Sequence, residues 1–210
     1  MRILTFDTET TGLPDGYPSF YETEKWPHII QLSYSLYDTT LNKIIVENDH
    51  IIYLDDNVVI TPKSVEMHKI TRQISQHKGI PIERALECFY ACIQGADILM
   101  AHNLSFDKRM LIVEHIRCKN RAKTTRQYSL KNESLYFPTE KDKHYYCTMK
   151  EGTRLCNIKA IGKDGEEYVK YPTLSQLHQQ LFGCLPNQNA IHNSLVDVRL
   201  CLKCGMEMIE

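Results

Sequence analysis

The chain has 210 residues, of which 42% are hydrophobic and 24% charged, and these proportions fit one globular domain with a buried core. No run of about eighteen apolar residues that could span a membrane occurs, and the carboxylate of Asp7 comes too early for the apolar part of a signal peptide. We therefore expect an intracellular protein, cytoplasmic or nuclear. The eight cysteines are scattered, which favours reduced thiols over a disulfide framework.

The charged residues are unevenly distributed. The net charge of −1 gives no general signature of a nucleic-acid binder. Between Arg117 and Pro172, however, thirteen Lys and Arg stand against seven Asp and Glu, so this segment carries +6 and the remainder −7. We predict an irregular basic segment here, at about residues 117–172. Its densest run is Arg117, Lys119, Arg121, Lys123 and Arg126. Such a run fits a solvated helix end and a surface that attracts phosphates equally well.

The first half of the chain predicts the opening of a β-sheet. Arg2 to Phe6 has the pattern of a buried strand and leads into a polar stretch from Thr8 to Pro14. Ile29 to Tyr37 and Lys43 to Leu54 are rich in β-forming residues and are predicted to return beside it as antiparallel strands. Apolar residues at helical spacing then predict a helix from Pro81 to Gly95.

In the second half, short strands alternate with helices. Asp97 to Asn103 predicts a strand, and Ser105 is a candidate N-cap for the helix that follows it. Gly162 to Gly165 predicts a turn between two short strands. Further helices are predicted from Leu174 to Phe182 and from Ser194 to about Ile209. Three strands followed by alternating helices and strands indicate a single mixed α/β domain.

Carboxylates stand where the predicted strands end and the helices begin. Asp7 and Glu9 close the first strand, and side chains two residues apart on a strand point the same way, so both face one spot. Asp107 lies in the first turn of the helix after the short strand. Asp197 lies among apolar residues of the last helix, where an unpaired carboxylate would be costly. His192 precedes that helix. Each motif alone also has an ordinary structural explanation, such as a first-turn contact with the helix dipole.

Together, these positions resemble the DEDDh branch of the DEDD exonuclease superfamily. The likeness covers nearly the whole chain and rests on three motifs: Asp7 to Leu13, Ala101 to Asp107, and His192 to Asp197. The histidine five residues before the last aspartate marks the branch, because the tyrosine branch would have Tyr in place of Asn193. Within the superfamily, the motifs are most similar to the epsilon proofreading subunit of bacterial DNA polymerase III and to related stand-alone exonucleases.

The resemblance implies a fold and an activity. The expected fold is a single exonuclease domain over residues 1–210, ribonuclease H-like, with a mixed β-sheet flanked by helices. The expected activity is 3′→5′ exonuclease cleavage, which hydrolyses phosphodiester bonds from the 3′ end of DNA and releases nucleoside 5′-monophosphates. The expected partner is nucleic acid, DNA rather than RNA, together with a DNA polymerase or a replication or repair complex. No membrane partner is expected.

The resemblance also implies a metal site formed by Asp7, Glu9, Asp107 and Asp197. All-oxygen ligands suit Mg²⁺ or Mn²⁺, and two such ions about 3.5–4 Å apart neutralise charge on the attacking and leaving oxygens. In this assignment Asp7 bridges two ions, Glu9 and Asp197 bind the ion that holds the attacking water, and Asp107 binds the other. His192 takes the proton from that water, a role that suits a group whose ordinary pKa is about 6.5.

Further residues are expected to contact the terminal nucleotide. Thr10, Gly12 and Leu13 would place backbone amides and an apolar wedge against its base. His68 matches the histidine that contacts the nucleotide in the family's V-x-x-H-G-I-T element, although Lys69 replaces the usual glycine. The complete set of expected substrate residues is Thr8, Thr10, Gly12, Leu13, His68, Asn103 and Phe106.

Three alternatives remain at this point. An exoribonuclease of the same fold, acting on RNA or short oligoribonucleotides, would use the same catalytic residues. The sequence of the first motif and the epsilon-like tail favour DNA. A non-catalytic nucleic-acid-binding module is disfavoured by the five intact catalytic positions. A zinc site at Cys201-x-x-Cys204 would need two further ligands, and the sequence has no second C-x-x-C.

Overall fold

A computed structural model describes residues 1–125, 143–187 and 193–209 of the chain, without the side chains of residues 122–125. Five strands form one mixed sheet in the order β3-β2-β1-β4-β5. The strands are β1 (Arg2–Thr10), β2 (Ile29–Asp38), β3 (Lys43–Ile51), β4 (Ile98–Ala101) and β5 (His144–Cys147). The predicted antiparallel return of the second and third strands is confirmed, because β2 pairs antiparallel with β1 and β3 antiparallel with β2.

β1 is the central strand of the sheet. It pairs antiparallel with β2 on one side and parallel with β4 on the other. Ile3, Leu4 and Phe6 are fully buried, so the first half of the strand is anchored in the core on both faces. Asp7 is therefore the first charged residue to emerge from the core, at the carboxyl end of the strand, where α/β sheets place their ligands.

Helices cover both faces of the sheet. They are α1 (Pro62–His68), α2 (Arg72–Lys78), α3 (Ile82–Gly95), α4 (Leu104–Thr125), α5 (Thr148–Cys156), α6 (Leu174–Phe182) and α7 (Ser194–Ile209). The apolar faces of α3 and α4 form the main core with Leu4 and Phe6. On the other face, Cys201 and Leu202 of α7 pack against Ile3, Ile98 and Met100. The result is the three-layer mixed α/β arrangement that the sequence predicts.

Several boundaries differ from the predictions: β1 continues past Phe6 to Thr10, β3 ends at Ile51 and not at Leu54, and one helix starts earlier than expected. α4 already begins at Leu104, so Ser105 lies inside the helix and the prediction that it is the N-cap was wrong. Asn103 precedes the helix with a φ of 69°, a left-handed conformation that asparagine tolerates better than most residues. The turn at Gly162 to Gly165 is confirmed, since it joins β6 (Lys159–Ile161) to β7 (Glu167–Val169).

All eight cysteines are free, and Cys201 and Cys204 are buried in the core, which agrees with the expectation of reduced thiols. In the described ranges, none of the helices combines the length and the apolar character needed to cross a bilayer.

The segment predicted to be irregular and basic is more regular than expected where it is described. α4 continues unbroken to Thr125, and β5, α5 and a β-hairpin follow from residue 144. Residues 126–142, which include Arg126, lie outside the described residues. Length and packing explain the difference, because a helix of 22 residues that starts in the core extends its backbone hydrogen bonds through a polar end.

Arg117 of the basic run does not belong to a surface that could attract phosphates. Its side chain is buried and donates hydrogen bonds to Glu114 Oε1 at 2.7 Å and to the carbonyls of Trp26 and Pro27 at 2.7 and 2.9 Å. Arg121 forms an ion pair with Glu83 at 2.7 Å. Arg117 thus fastens the segment before β2 to α4, and it is not available to a ligand.

Removal of the buried Arg117 should cost far more stability than removal of its exposed neighbour. Arg117→Ala leaves Glu114 buried without its main cation, and breaking such a pair typically costs about 3–5 kcal/mol. The matched control is Arg121→Ala on the same helix, whose side chain is 47% exposed and whose loss should cost about 1 kcal/mol or less. Urea denaturation of both variants measures the difference. Equal losses would contradict a structural role for Arg117.

Candidate active site

Three carboxylates converge at the carboxyl end of β1. Asp7 and Glu9 project from the same side of β1, as their spacing predicts, and Asp197 reaches them from the first turn of α7. One oxygen from each of the three lies within 4.8 Å of the others. A single cation placed among them would contact all three groups, and oxygen-only donors of this kind suit Mg²⁺ or Mn²⁺.

Two contacts bring α7 onto the sheet. The hydroxyl of Ser194, at the start of α7, donates to the backbone carbonyl of Asp7 at 2.9 Å. Farther along, Gly205 lies so close to Met100 of β4 that a Cβ atom there would overlap the Met100 sulfur. Sequence analysis did not identify Ser194 as a site residue, although its position between His192 and Asp197 was a signal. These contacts hold Asp197 opposite Asp7.

Asp107 is held beside this cluster by Thr8. Its Oδ1 accepts hydrogen bonds from the Thr8 amide at 3.0 Å and from the Thr8 hydroxyl at 2.7 Å. Both residues are buried. The Thr8 side chain positions Asp107, because it points to the face of β1 opposite Asp7 and Glu9. Its predicted contact with substrate stays a prediction.

Burial and mutual repulsion raise the pKa values of the carboxyl groups in the cluster. Burial, followed by the charges of Asp107, Glu9 and Asp197, raises the pKa of Asp7 well above its ordinary value. Burial and then the charges of Asp197 and Asp107 raise the pKa of Glu9 to about 8. Burial also raises the pKa of Asp107 to about 7, although the hydrogen bonds from Thr8 oppose this. Without a cation, the site therefore holds protons near neutral pH.

Thr10, Gly12 and Leu13 form a turn beyond the carboxylates. The Thr10 hydroxyl donates to the Gly12 carbonyl at 2.8 Å and so shapes the turn. Leu13 is 80% exposed at its tip, as an apolar wedge for a base would require. Gly12 is close to Thr61, whose Cγ2 atom would lie 3.3 Å from an added Cβ. A side chain at this position would crowd the wall formed by α1.

The remaining predicted substrate residues lie around the same end of the sheet. His68 at the end of α1 is buried, and its Nδ1 accepts a hydrogen bond from the Ile70 amide at 3.0 Å. Burial lowers the pKa of His68, while a hydrogen bond with the Thr10 backbone opposes that shift. Asn103 is exposed at the mouth of α4, and Phe106 is half-buried one turn later.

His192, the predicted general base, lies outside the described residues, so its role stays a prediction. The other histidine of the motifs, His102, has a structural role. It contacts the Thr148 hydroxyl at 3.0 Å and the Pro172 carbonyl at 3.1 Å. Burial lowers the pKa of His102 to about 4, which keeps the ring neutral.

The raised pKa values predict an unusual pH dependence of stability without metal. Glu9 has a folded-state pKa of about 8 and an ordinary value of 4.5, so between these the folded protein binds more protons than the unfolded chain. Stability in EDTA should therefore fall as the pH rises from about 5 to 8. The fall in Tm should amount to several degrees, since a loss of 1 kcal/mol in the free energy of unfolding lowers Tm by roughly 2–4 °C in a domain of this size.

Two controls isolate the cause of that fall. Glu9→Gln removes one charge and should flatten the pH dependence measured by thermal unfolding. Adding Mg²⁺ should restore the lost stability in the wild type more than in Glu9→Gln. A Tm in EDTA that rises from pH 5 to 8 would show that the carboxylates do not repel each other as described.

A protein-family model matches most of the chain. The family model RNase_T, described as exonuclease, matches residues 4–204 of the chain. No curated protein matches the chain in sequence.

Solved structures of exonuclease I share the fold. Escherichia coli exonuclease I in complex with a dT13 oligonucleotide superposes with a TM-score of 0.62 at 15% identity, over 99% of this chain and 40% of that chain. Exonuclease I of Methylocaldum szegediense gives a TM-score of 0.64 at 15% identity, with the same coverage of both chains. The chain thus spans 40% of the length of these proteins. The likeness confirms the predicted ribonuclease H-like fold.

Proposed function

Because the chain belongs to the RNase_T exonuclease family, we propose that it is a metal-dependent 3′→5′ exonuclease that removes nucleoside 5′-monophosphates from the 3′ end of DNA. The observation that carries the proposal is the convergence of Asp7, Glu9 and Asp197 within 4.8 Å. Three carboxylates so close together would be a source of instability in a protein that did not use a cation there.

The donor set fits the predicted metal site. Asp7, Glu9 and Asp197 would hold the cation they surround, and Asp107, which adds to the charge felt by Asp7, would assist a second one. When bound, Mg²⁺ or Mn²⁺ supplies the positive charge that a phosphodiester needs on its attacking and leaving oxygens. In this proposal Thr8 and Ser194 keep the carboxylates aligned through their contacts with Asp107 and with the Asp7 carbonyl.

The surrounding residues would orient the terminal nucleotide. The exposed Leu13 would press against its base, while Thr10 and Gly12 shape the turn that presents Leu13. His68, Asn103 and Phe106 would line the other side of the nucleotide. His192 would accept the proton from the attacking water, since it stands just before α7 and five residues before Asp197 in the chain.

DNA is the proposed substrate. Exonuclease I structures with this fold contain dT13 and dA16 oligonucleotides, which supports a DNA strand as the ligand of this architecture. An exoribonuclease would share the catalytic residues, and the experiment below includes RNA for that reason. Association with a DNA polymerase or a repair complex stays a prediction of the sequence resemblance.

The central test is digestion of one 5′-labelled sequence prepared as single-stranded DNA, as duplex DNA with a mismatched 3′ end, and as RNA. We expect shortening by one nucleotide at a time from the 3′ end with Mg²⁺, and none with EDTA. Asp7→Asn should lose at least about 10³-fold in rate, while Asp55→Asn, an exposed carboxylate away from the cluster, should keep it. Cleavage of a closed circular strand, or faster digestion of RNA, would contradict the proposal.

The role of His192 predicts a specific pH profile. His192→Ala should lose about 10²–10⁴-fold in kcat, the usual contribution of a positioned base. The wild-type rate should rise across the range in which a histidine loses its proton, about pH 6 to 7.5, and this rise should vanish in the variant. Mg²⁺-induced stabilisation should persist, because the carboxylates remain. His77→Ala, an exposed histidine on α2, is the matched control. Wild-type turnover in His192→Ala would exclude this mechanism.

A further inference from the structure

A cationic groove lies along the start of α4, the helix that carries Asp107. It has a volume of about 290 Å³ and runs between the start of α4 and the edge formed by β5 and α5. Its lining includes Lys108, Arg109 and Lys150, and none of its described lining residues is an Asp or Glu. Lys108, which lines the groove, follows Asp107 directly in the chain, so the groove and the carboxylate cluster share the first turns of α4.

An aromatic loop borders the groove. Three aromatic side chains between β1 and β2 are exposed: Tyr17 fully, Tyr21 by 82% and Phe20 by 36%. Phe20 itself lines the groove. A cluster of large exposed apolar side chains is unfavourable unless it meets a ligand, so such a patch commonly marks a binding surface.

The loop is held in place by the buried arginine described above. Phe20 stacks on Trp26 with ring centroids 6.2 Å apart and an interplanar angle of 27°. The Trp26 indole donates to the Ser19 carbonyl at 3.0 Å, and Arg117 binds the Trp26 carbonyl at 2.7 Å. Because Arg117 is anchored to Glu114 in α4, the ring of Phe20 is presented to the groove from a fixed support.

Cations beside an exposed aromatic ring suit one kind of ligand. Lysine and arginine attract the phosphates of a polynucleotide, and aromatic rings stack on its bases in any sequence. The faces of bases inside a duplex are already stacked, so only a single strand offers both groups at once. The Lys108 Nζ atom also lies 4.2 Å from the ring centroid of Tyr145, and this cation–π contact holds the ammonium group at the groove.

We propose that the cationic groove and Phe20 form a binding track for a single polynucleotide strand, on the 5′ side of the nucleotide being removed. The inference rests on the proposed exonuclease function and adds to it a strand-binding surface outside the carboxylate site, formed by Phe20, Lys108, Arg109 and Lys150. The track contacts phosphates and base faces, which DNA and RNA share. Discrimination between the two sugars therefore belongs to the carboxylate site and not to the track.

The first test removes two exposed cations of the groove. Arg109→Ala/Lys150→Ala should lower kcat/KM for a thymidine oligomer by on the order of tenfold near 0.1 M salt. The slope of log(kcat/KM) against log[salt] should become shallower by about 1.4, since each phosphate contact on a single strand contributes about 0.7. Hydrolysis of the p-nitrophenyl ester of thymidine 5′-monophosphate, which has no strand to reach the groove, should change far less. An unchanged salt slope overturns the proposal.

A matched control separates the groove from general charge. Lys43→Ala/Lys163→Ala removes two exposed cations, one at the opposite edge of the sheet and one in the β6–β7 turn. This double variant should keep the wild-type rate and salt slope on the oligomer. If both double variants lose activity equally, the effect belongs to net charge, and the track is excluded.

The second test addresses Phe20. Phe20→Leu keeps an apolar side chain but removes the ring, and it should lower oligomer affinity by about fivefold or more. Phe20→Tyr keeps the ring and should bind like the wild type. Equal binding by the Leu and Tyr variants would exclude stacking at this position.

A binding measurement distinguishes failure of the track from failure of the exonuclease. Fluorescence anisotropy of a labelled thymidine oligomer of about sixteen nucleotides, measured in EDTA, requires no catalysis. If the wild type cleaves nothing but binds the oligomer more tightly than Arg109→Ala/Lys150→Ala does, the track stands and the proposed function fails. If it cleaves normally and all variants bind and cleave alike, the proposed function stands and the track fails.

Discussion

Repulsion among partly buried carboxylates is the constraint on which this structure depends. Asp7, Glu9 and Asp197 approach within 4.8 Å, with Asp107 close enough to raise the pKa of Asp7 further. Like charges at such distances in a partly buried site cannot all ionise without a compensating cation. The cluster is therefore poorly suited to stability alone and well suited to a divalent ion, whose binding free energy offsets the repulsion. A site of this kind persists only when the rest of the fold holds its members in place.

The scaffold supplies that support from three directions. The apolar half of β1 is buried on both faces, so Asp7 and Glu9 leave the core at fixed positions. Thr8, which shares the strand but faces the other way, binds Asp107 through both its amide and its hydroxyl. Two contacts hold α7 against the sheet: the Ser194 hydroxyl donates a hydrogen bond to the Asp7 carbonyl, and Gly205 packs closely against Met100. The uncharged residues Thr8 and Ser194 thus position the site, and the carboxylates remain available to bind a ligand.

Arg117 links α4 to the surface loop that carries Phe20. A buried ion pair contributes little net stability when both partners are present, but it fixes geometry because either partner alone is costly. Here the pair with Glu114 anchors the segment that carries Trp26, and Trp26 in turn supports Phe20. The basic residue that sequence reasoning offered to phosphates is thus part of the support, and the groove cations lie elsewhere, at the start of α4 and in α5.

The sequence by itself determined the mixed α/β fold, the order of its main strands and helices, and the positions at which acids leave the core. These follow from hydrophobic periodicity and from the alternation of side chains along a strand, both of which are local. Tertiary structure alone decided which polar residues serve each other and which face the ligand. Thr8 binds Asp107, and Arg117 binds the distant carbonyls of Trp26 and Pro27. Such contacts form only when packing brings the elements together. The cationic groove has the same origin, since its residues come from α4, β5, α5 and a loop nearly ninety residues earlier in the chain.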